Sequence, residues 1–152
     1  MKQIMFNTEN IKEFRKENKL SQKEVSSILN VSRSSYAMWE SNNNIFPIMR
    51  LIDFCTIFKI SLNYALGLTK KTKVTKGLNP EKAQIRLKEF RKENHLTQEK
   101  LAELLNTNKS VICNYEKGRN IIATPFLYTI CKKYQISADY LLGRTDNPKY
   151  LL

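Results

Sequence analysis

One histidine and three cysteines are the only imidazole and thiol groups that this chain of 152 residues offers for nucleophilic or metal chemistry. Their spacing supports neither. His95 has no cysteine near it in a recognisable motif and reads as a solvated loop residue. Cys55, Cys113 and Cys131 form no CxxC pair and no even disulfide set. Cys55 and Cys131 fall within apolar helical patterns, as small core residues do. No glycine-rich phosphate loop and no metal-ligand spacing occurs, so neither an enzyme nor a cofactor is expected. The chemistry available is cationic. Lys and Arg number 26 against 14 Asp and Glu, for a net charge of +12. The excess is +4 over residues 1–70, +3 over 71–82 and +5 over 83–152. Cations spread in this way suit a polyanion, nucleic acid before an anionic membrane.

The elements that position these charges come in two sets. Ile11–Thr69 laid over Leu87–Thr145, 76 residues on and without a gap, keeps 23 of 59 residues identical, beginning with KEFRKEN in both. A long ungapped offset means two copies of one unit of roughly 60 residues. Positions kept in both are expected to serve the scaffold, and positions that differ to carry what each copy recognises.

Within each copy the signals are those of short helices. Ser21 with Glu24 forms a capping box ahead of apolar Val25, Ile28 and Leu29, and Asn30 suits the left-handed residue that ends a helix. Ser32 caps a third helix with Tyr36 and Trp39 turned inward. Ile48, Leu51, Ile52, Cys55 and Phe58 line a fourth helix, and Ser61 caps a fifth that ends at Gly67. Copy two repeats this with Asn79-Pro80 opening a longer first helix, then Thr97, Asn106, Asn108, and Leu127, Ile130, Cys131 and Tyr134, closing at Gly143. The fold class is all-α. The boundaries are residues 1–69 for copy one, 70–78 for a basic linker expected to be exposed and mobile, 79–147 for copy two and 148–152 for a tail. No run approaches the roughly 20 apolar residues of a membrane span and no signal-peptide core is present, so a cytoplasmic, nucleoid-associated protein is expected.

LSQKEVSSILNVSRSSYAMWE at Leu20–Glu40 and LTQEKLAELLNTNKSVICNYE at Leu96–Glu116 resemble the helix-turn-helix of lambda-repressor-like, Cro-repressor-type (XRE-family) proteins. ISLNYALGLT at Ile60–Thr69 and ISADYLLGRT at Ile136–Thr145 resemble the last helix of the same domain. The resemblance implies two tandem five-helix DNA-binding domains and a transcriptional regulator, a repressor by type, with double-stranded DNA as partner. By the same resemblance the base-reading positions are Arg33, Ser34 and Met38 in copy one and Lys109, Ser110 and Asn114 in copy two. Arg33 or Lys109 suits guanine O6 and N7, Asn114 suits adenine N6 and N7, and Met38 offers apolar contact. Gln22 and Gln98, opening the second helices, are phosphate contacts, as are Asn44, Lys117, Arg119 and Asn120 after the third, with Gly118 allowing close main-chain approach. Arg15 with Glu40, and Arg91 with Glu116, resemble the family's structural ion pair.

The cationic loop makes copy two the stronger expected DNA binder. Because the reading positions differ, two unlike half-sites are expected. A linker of about ten residues spans roughly 30 Å when extended, enough for neighbouring half-sites about 34 Å apart. The alternative is an antitoxin-like or anti-repressor protein in which copy two holds DNA and copy one, with Met38 and the uncharged Asn42–Asn44, holds a protein partner. A homodimer, or a partner reached through the tail at Tyr150, Leu151 and Leu152, is a further possibility the sequence leaves open.

Overall fold

The computed structural model describes residues 6–72 and 76–150. Ten helices run in two sets of five, with no strand among the described residues. Copy one comprises α1 (Glu9–Glu17), α2 (Gln22–Ile28), α3 (Arg33–Glu40), α4 (Ile48–Ile57) and α5 (Leu62–Ala65). Copy two comprises α6 (Pro80–Glu93), α7 (Gln98–Leu104), α8 (Lys109–Glu116), α9 (Thr124–Tyr134) and α10 (Ala138–Leu141).

The helix starts follow their cap residues. Ser21 accepts from Glu24 N while the Glu24 side chain accepts from Ser21 N, the reciprocal box that satisfies two exposed donors. Ser32, Ser61, Asn79, Thr97, Asn108 and Ser137 each accept from the backbone N–H three residues on. Breaks between helices repeat as faithfully. Lys19 and His95, Asn30 and Asn106, Asn42 and Gly118, Lys59 and Gln135, and Gly67 and Gly143 all take positive φ, five left-handed residues in the same register of each copy. Such residues stop a helix after one turn of reversal and fix the angle at which the next begins.

Each copy encloses its own apolar centre. Ile11, Val25, Tyr36, Leu51, Phe54 and Leu62 are sealed in copy one, where Phe14 meets Phe54 and Phe58 edge to face at 5.9 and 5.5 Å and those two rings tilt together at 4.8 Å. In copy two, Leu101, Ile112, Leu127, Ile130 and Cys131 play that part, and Phe90 meets Tyr134 at 4.9 Å. Cys55 and Cys131 are fully buried, and burial pushes both thiols well above their ordinary pKa, as inert core residues.

The two copies touch along α5 and α10. Asp139 accepts from the N–H groups of Leu62 and Asn63, both at 2.9 Å, and Asn63 accepts from Ala138 N at 2.7 Å. Asn63 and Asp139 stand 76 residues apart, as do Leu62 and Ala138, so each copy caps the other's last helix through the same position. Contacts that exchange in this way are isologous and define a local two-fold axis between the copies.

The connector departs from the expected mobile segment over its second half. Lys76 N donates to Arg144 O at 2.8 Å and Asn79 N to Leu142 O at 3.0 Å, which fixes the chain against the end of α10. Lys73, Val74 and Thr75 lie outside the described residues. The tail also turns inward. Pro148 O accepts from Ser137 N at 2.8 Å, and half-buried Tyr150 lies near Tyr128 and Cys131 of its own chain. Leu151 and Leu152 fall outside the described residues.

Candidate nucleic-acid interface

The two helix pairs α2–α3 and α7–α8 each present one outward helix start. Arg33 and Ser34 occupy the first two positions of α3 and Lys109 and Ser110 those of α8, and all four are exposed. One turn on, Met38 is 42% exposed and Asn114 half-buried. Each copy therefore sets two of its expected reading residues at an exposed helix start, with the third one turn on. An exposed α-helix of about 10–12 Å diameter is of a size to enter a major groove about 12 Å wide.

The loops after these helices differ as their sequences do. In copy two, Lys117, Arg119 and Asn120 are exposed beside α8, and Arg119 donates to Asn114 Oδ1 at 3.3 Å. In copy one, Asn44 is exposed and its amide rests on the Met38 sulfur at 3.7 Å. Gly118 has a reason internal to the chain. Its φ is +73°, and a Cβ there would stand 2.6 Å from Gln84 Oε1. That requirement exists without any phosphate.

Behind each of α3 and α8 lies an ion pair. Arg15 holds both Glu40 oxygens, Nε at 2.8 Å and Nη2 at 2.7 Å, and donates through Nη1 to Leu20 O. Arg91 holds Glu116 in the same bidentate way and donates to Leu96 O. One arginine thus fastens the first helix, the start of the second and the end of the third. Gln22 and Gln98 join these pairs from α2 and α7, donating to Glu40 at 3.4 Å and Glu116 at 2.7 Å. One amide hydrogen of each is engaged inward, which the sequence alone did not suggest.

In copy one the pair is embedded further. Burial would raise the Glu40 pKa, but hydrogen bonding and charge from Arg15, with the nearby Tyr36 hydroxyl and Gln22, hold it below the usual carboxylate range. Tyr36 hydroxyl finds no partner in hydrogen-bonding geometry among the described residues. Its burial, reinforced by the Glu40 charge, pushes its pKa far above that of an ordinary phenol.

Sequence reasoning overlooked one charge beside the start of α8. Glu99, exposed on α7, pairs with Lys109 at 2.9 Å, and this contact lowers the Glu99 pKa and raises that of Lys109. Copy one has exposed Lys23 at that position. The cationic loop of copy two is thus offset by an acid beside Lys109, while copy one carries Lys23 and Arg33 without that acid. Comparing Lys23 with Glu99 would have exposed the difference.

Among the described residues no group of His, Cys, Asp and Glu could hold a metal ion, and no helix is long and apolar enough to cross a membrane. A family model described as a helix-turn-helix domain matches twice, over residues 8–71 and 85–147. Two curated proteins of Bacillus subtilis (strain 168) are similar. One is the uncharacterized HTH-type transcriptional regulator YobD, 38% identical over 63 residues, 41% of this chain and 56% of that protein. The other is the HTH-type transcriptional regulator ImmR, 38% identical over 64 residues, 42% of this chain and 50% of that protein. The chain spans about half the length of the curated relatives it matches. No solved structure matches. Two family matches over most of the chain, on two copies of one five-helix unit, make this protein a member of the helix-turn-helix domain family that carries the domain twice.

Proposed function

We propose that the chain binds double-stranded DNA sequence-specifically as a transcriptional regulator, a repressor by type, with α3 and α8 reading successive major grooves. The observation that carries this is the pair of exposed helix starts, Arg33-Ser34 and Lys109-Ser110, each braced by an ion pair in a helix-turn-helix copy. Arg33, Ser34 and Met38 read one half-site, and Lys109, Ser110 and Asn114 the other. Lys117, Arg119, Asn120 and Asn44 hold phosphates beside them, and Gln22 and Gln98 contribute the amide hydrogen not given to the ion pair. Such phosphate contacts position the protein, while base contacts carry sequence preference.

Support for the arrangement of the half-sites comes from the local two-fold axis. Two copies related by such an axis present their reading helices in opposite senses, which suits inverted rather than directly repeated half-sites. The unlike reading residues make those half-sites unlike. The chain then behaves as a dimer built into one polypeptide, working on the DNA of the cytoplasmic nucleoid.

Arg33→Glu tests copy one's share. The variant is expected to lose about tenfold or more in affinity for operator DNA, since a good base contact contributes about 1–3 kcal/mol of discrimination. The slope of log affinity against log salt should become shallower with it, because the reversed charge weakens the cationic field facing the phosphates. Unchanged affinity and slope would instead favour the second reading, in which copy one holds a protein. That reading draws on the apolar exposure of copy one, where Ile28, Met38, Met49 and Ile57 are each 42–48% exposed.

A further inference from the structure

The surface joining the copies is isologous in outline and one-sided in detail. Its shared part is the reciprocal cap, Asn63 on Ala138 and Asp139 on Leu62 and Asn63. Its one-sided part consists mainly of donors from copy two and acceptors in copy one, with the Asn63 amide donating the other way to Ser137 Oγ at 2.8 Å. Arg144 is 1% exposed and held by Asp139 at 3.0 Å, and it reaches across to Thr56 Oγ1 at 2.8 Å and Ile60 O at 3.3 Å. Thr124 Oγ1 donates to Phe46 O at 2.6 Å. The copy-one counterparts of these two donors are Leu68 and Ile48, which can donate nothing from their side chains. The copy-two counterpart of the acceptor Thr56 is Lys132.

We propose that this surface selects its partner: copy two pairs with copy one of the same chain and rejects a second copy of itself. Two copy-one surfaces brought together would keep the Asn63 cap and lose every bond made by Arg144 and Thr124. Two copy-two surfaces would drive each Arg144 onto the other's Lys132, placing two cations where the native pair has an arginine and a hydroxyl. A like charge at such a site acts against the wrong partner, as repulsive elements do in specific interfaces. The mixed pairing gives the buried guanidinium the Thr56 hydroxyl as an acceptor, and a copy-two pair replaces that acceptor with the Lys132 ammonium. The same chain is the occupant because Lys76 and Asn79 fasten the connector to the end of α10, beside the interface, and a short tether raises the local concentration of the attached copy. The proposal concerns pairing and stands whether or not the DNA reading does.

Two full-length variants test it. One makes both surfaces like copy one, by Thr124→Ile, Lys132→Thr, Asp139→Asn and Arg144→Leu. The other makes both like copy two, by Ile48→Thr, Thr56→Lys, Asn63→Asp and Leu68→Arg. Paramagnetic labels at Ser27 and Glu103, exposed and 76 residues apart, report pairing in a Cys113→Ala background, since copy one carries Ala37 there. The wild type should give one narrow label distance and sediment as a monomer. Each variant alone should give a broad distribution, and an equal mixture should sediment as two-chain species. A narrow distance in either variant alone, or a folded mixture that stays monomeric, overturns the proposal. Thr56→Lys by itself guards against misfolding, because Thr56 is exposed and outside both cores. It should broaden the distance at unchanged helix content, and an unchanged narrow distance would count equally against selection.

Discussion

Arg15→Ala is expected to destabilise the protein by about 3–5 kcal/mol, the usual cost of leaving one partner of a buried ion pair alone. The Glu40 side chain is 2% exposed and Arg15 supplies both of its ion-pair hydrogen bonds. Loss of the guanidinium also releases Leu20 O and with it the tie between α1 and the start of α2. The end of α3 is then unfastened, and reading by copy one should fail before copy two is affected.

The pH dependence provides an independent readout. In the wild type the folded-state pKa of Glu40 lies below its ordinary value of about 4.5. The stability this contributes is present above pH 4.5 and is lost as pH falls through the folded pKa. In Arg15→Ala the burial of Glu40, the largest influence on its pKa, meets much weaker opposition. A pKa raised in this way favours the protonated folded state, so the acid-labile contribution should flatten or reverse. Urea unfolding of both proteins at pH 7 and pH 4 measures the difference. A variant within about 1 kcal/mol of wild type at pH 7 would mean that the pair orients α3 without stabilising it, since desolvation can cancel the attraction of a buried pair.

Asp139→Ala should be as severe, for a different reason. Asp139 lies fully buried between the copies and accepts from two backbone N–H groups and the Arg144 guanidinium. Alanine strands a buried cation and leaves the first N–H groups of α5 without their cap. The expected loss is again about 3–5 kcal/mol, with the copies separating before either core melts. Denaturant titration followed by the Trp39 signal and by labels on the two copies would show two transitions where the wild type shows one. A single transition at the wild-type midpoint would place the strength of the interface elsewhere.

Much of the scaffold was legible because it is written locally. The caps Ser21, Ser32, Thr97 and Asn108, the stops at Asn30 and Asn106, and the inward faces of α4 and α9 all follow from neighbouring residues. The choice of Arg33 and Lys109 came instead from the family resemblance, and both stand exposed at the first position of their helices. What escaped depends on distant chain. Asn63 and Asp139 are short polar residues in four-residue helices, and nothing near them in sequence says that they cap each other's copy. Leu68 and Arg144, Thr56 and Lys132, and Ile48 and Thr124 differ between copies, and such differences were expected to serve recognition. Several of them belong to the pairing of the copies instead. The inward turn of Gln22 and Gln98 escaped for the same reason, since it is set by glutamates 18 residues away.

The most direct test of the proposal that this chain reads two unlike, inverted half-sites is selection of bound duplexes from a random DNA pool by the whole protein at moderate salt. Two enriched half-sites of different sequence, inverted and at one fixed spacing, are the predicted result. Directly repeated half-sites, one half-site alone or no enrichment would contradict it.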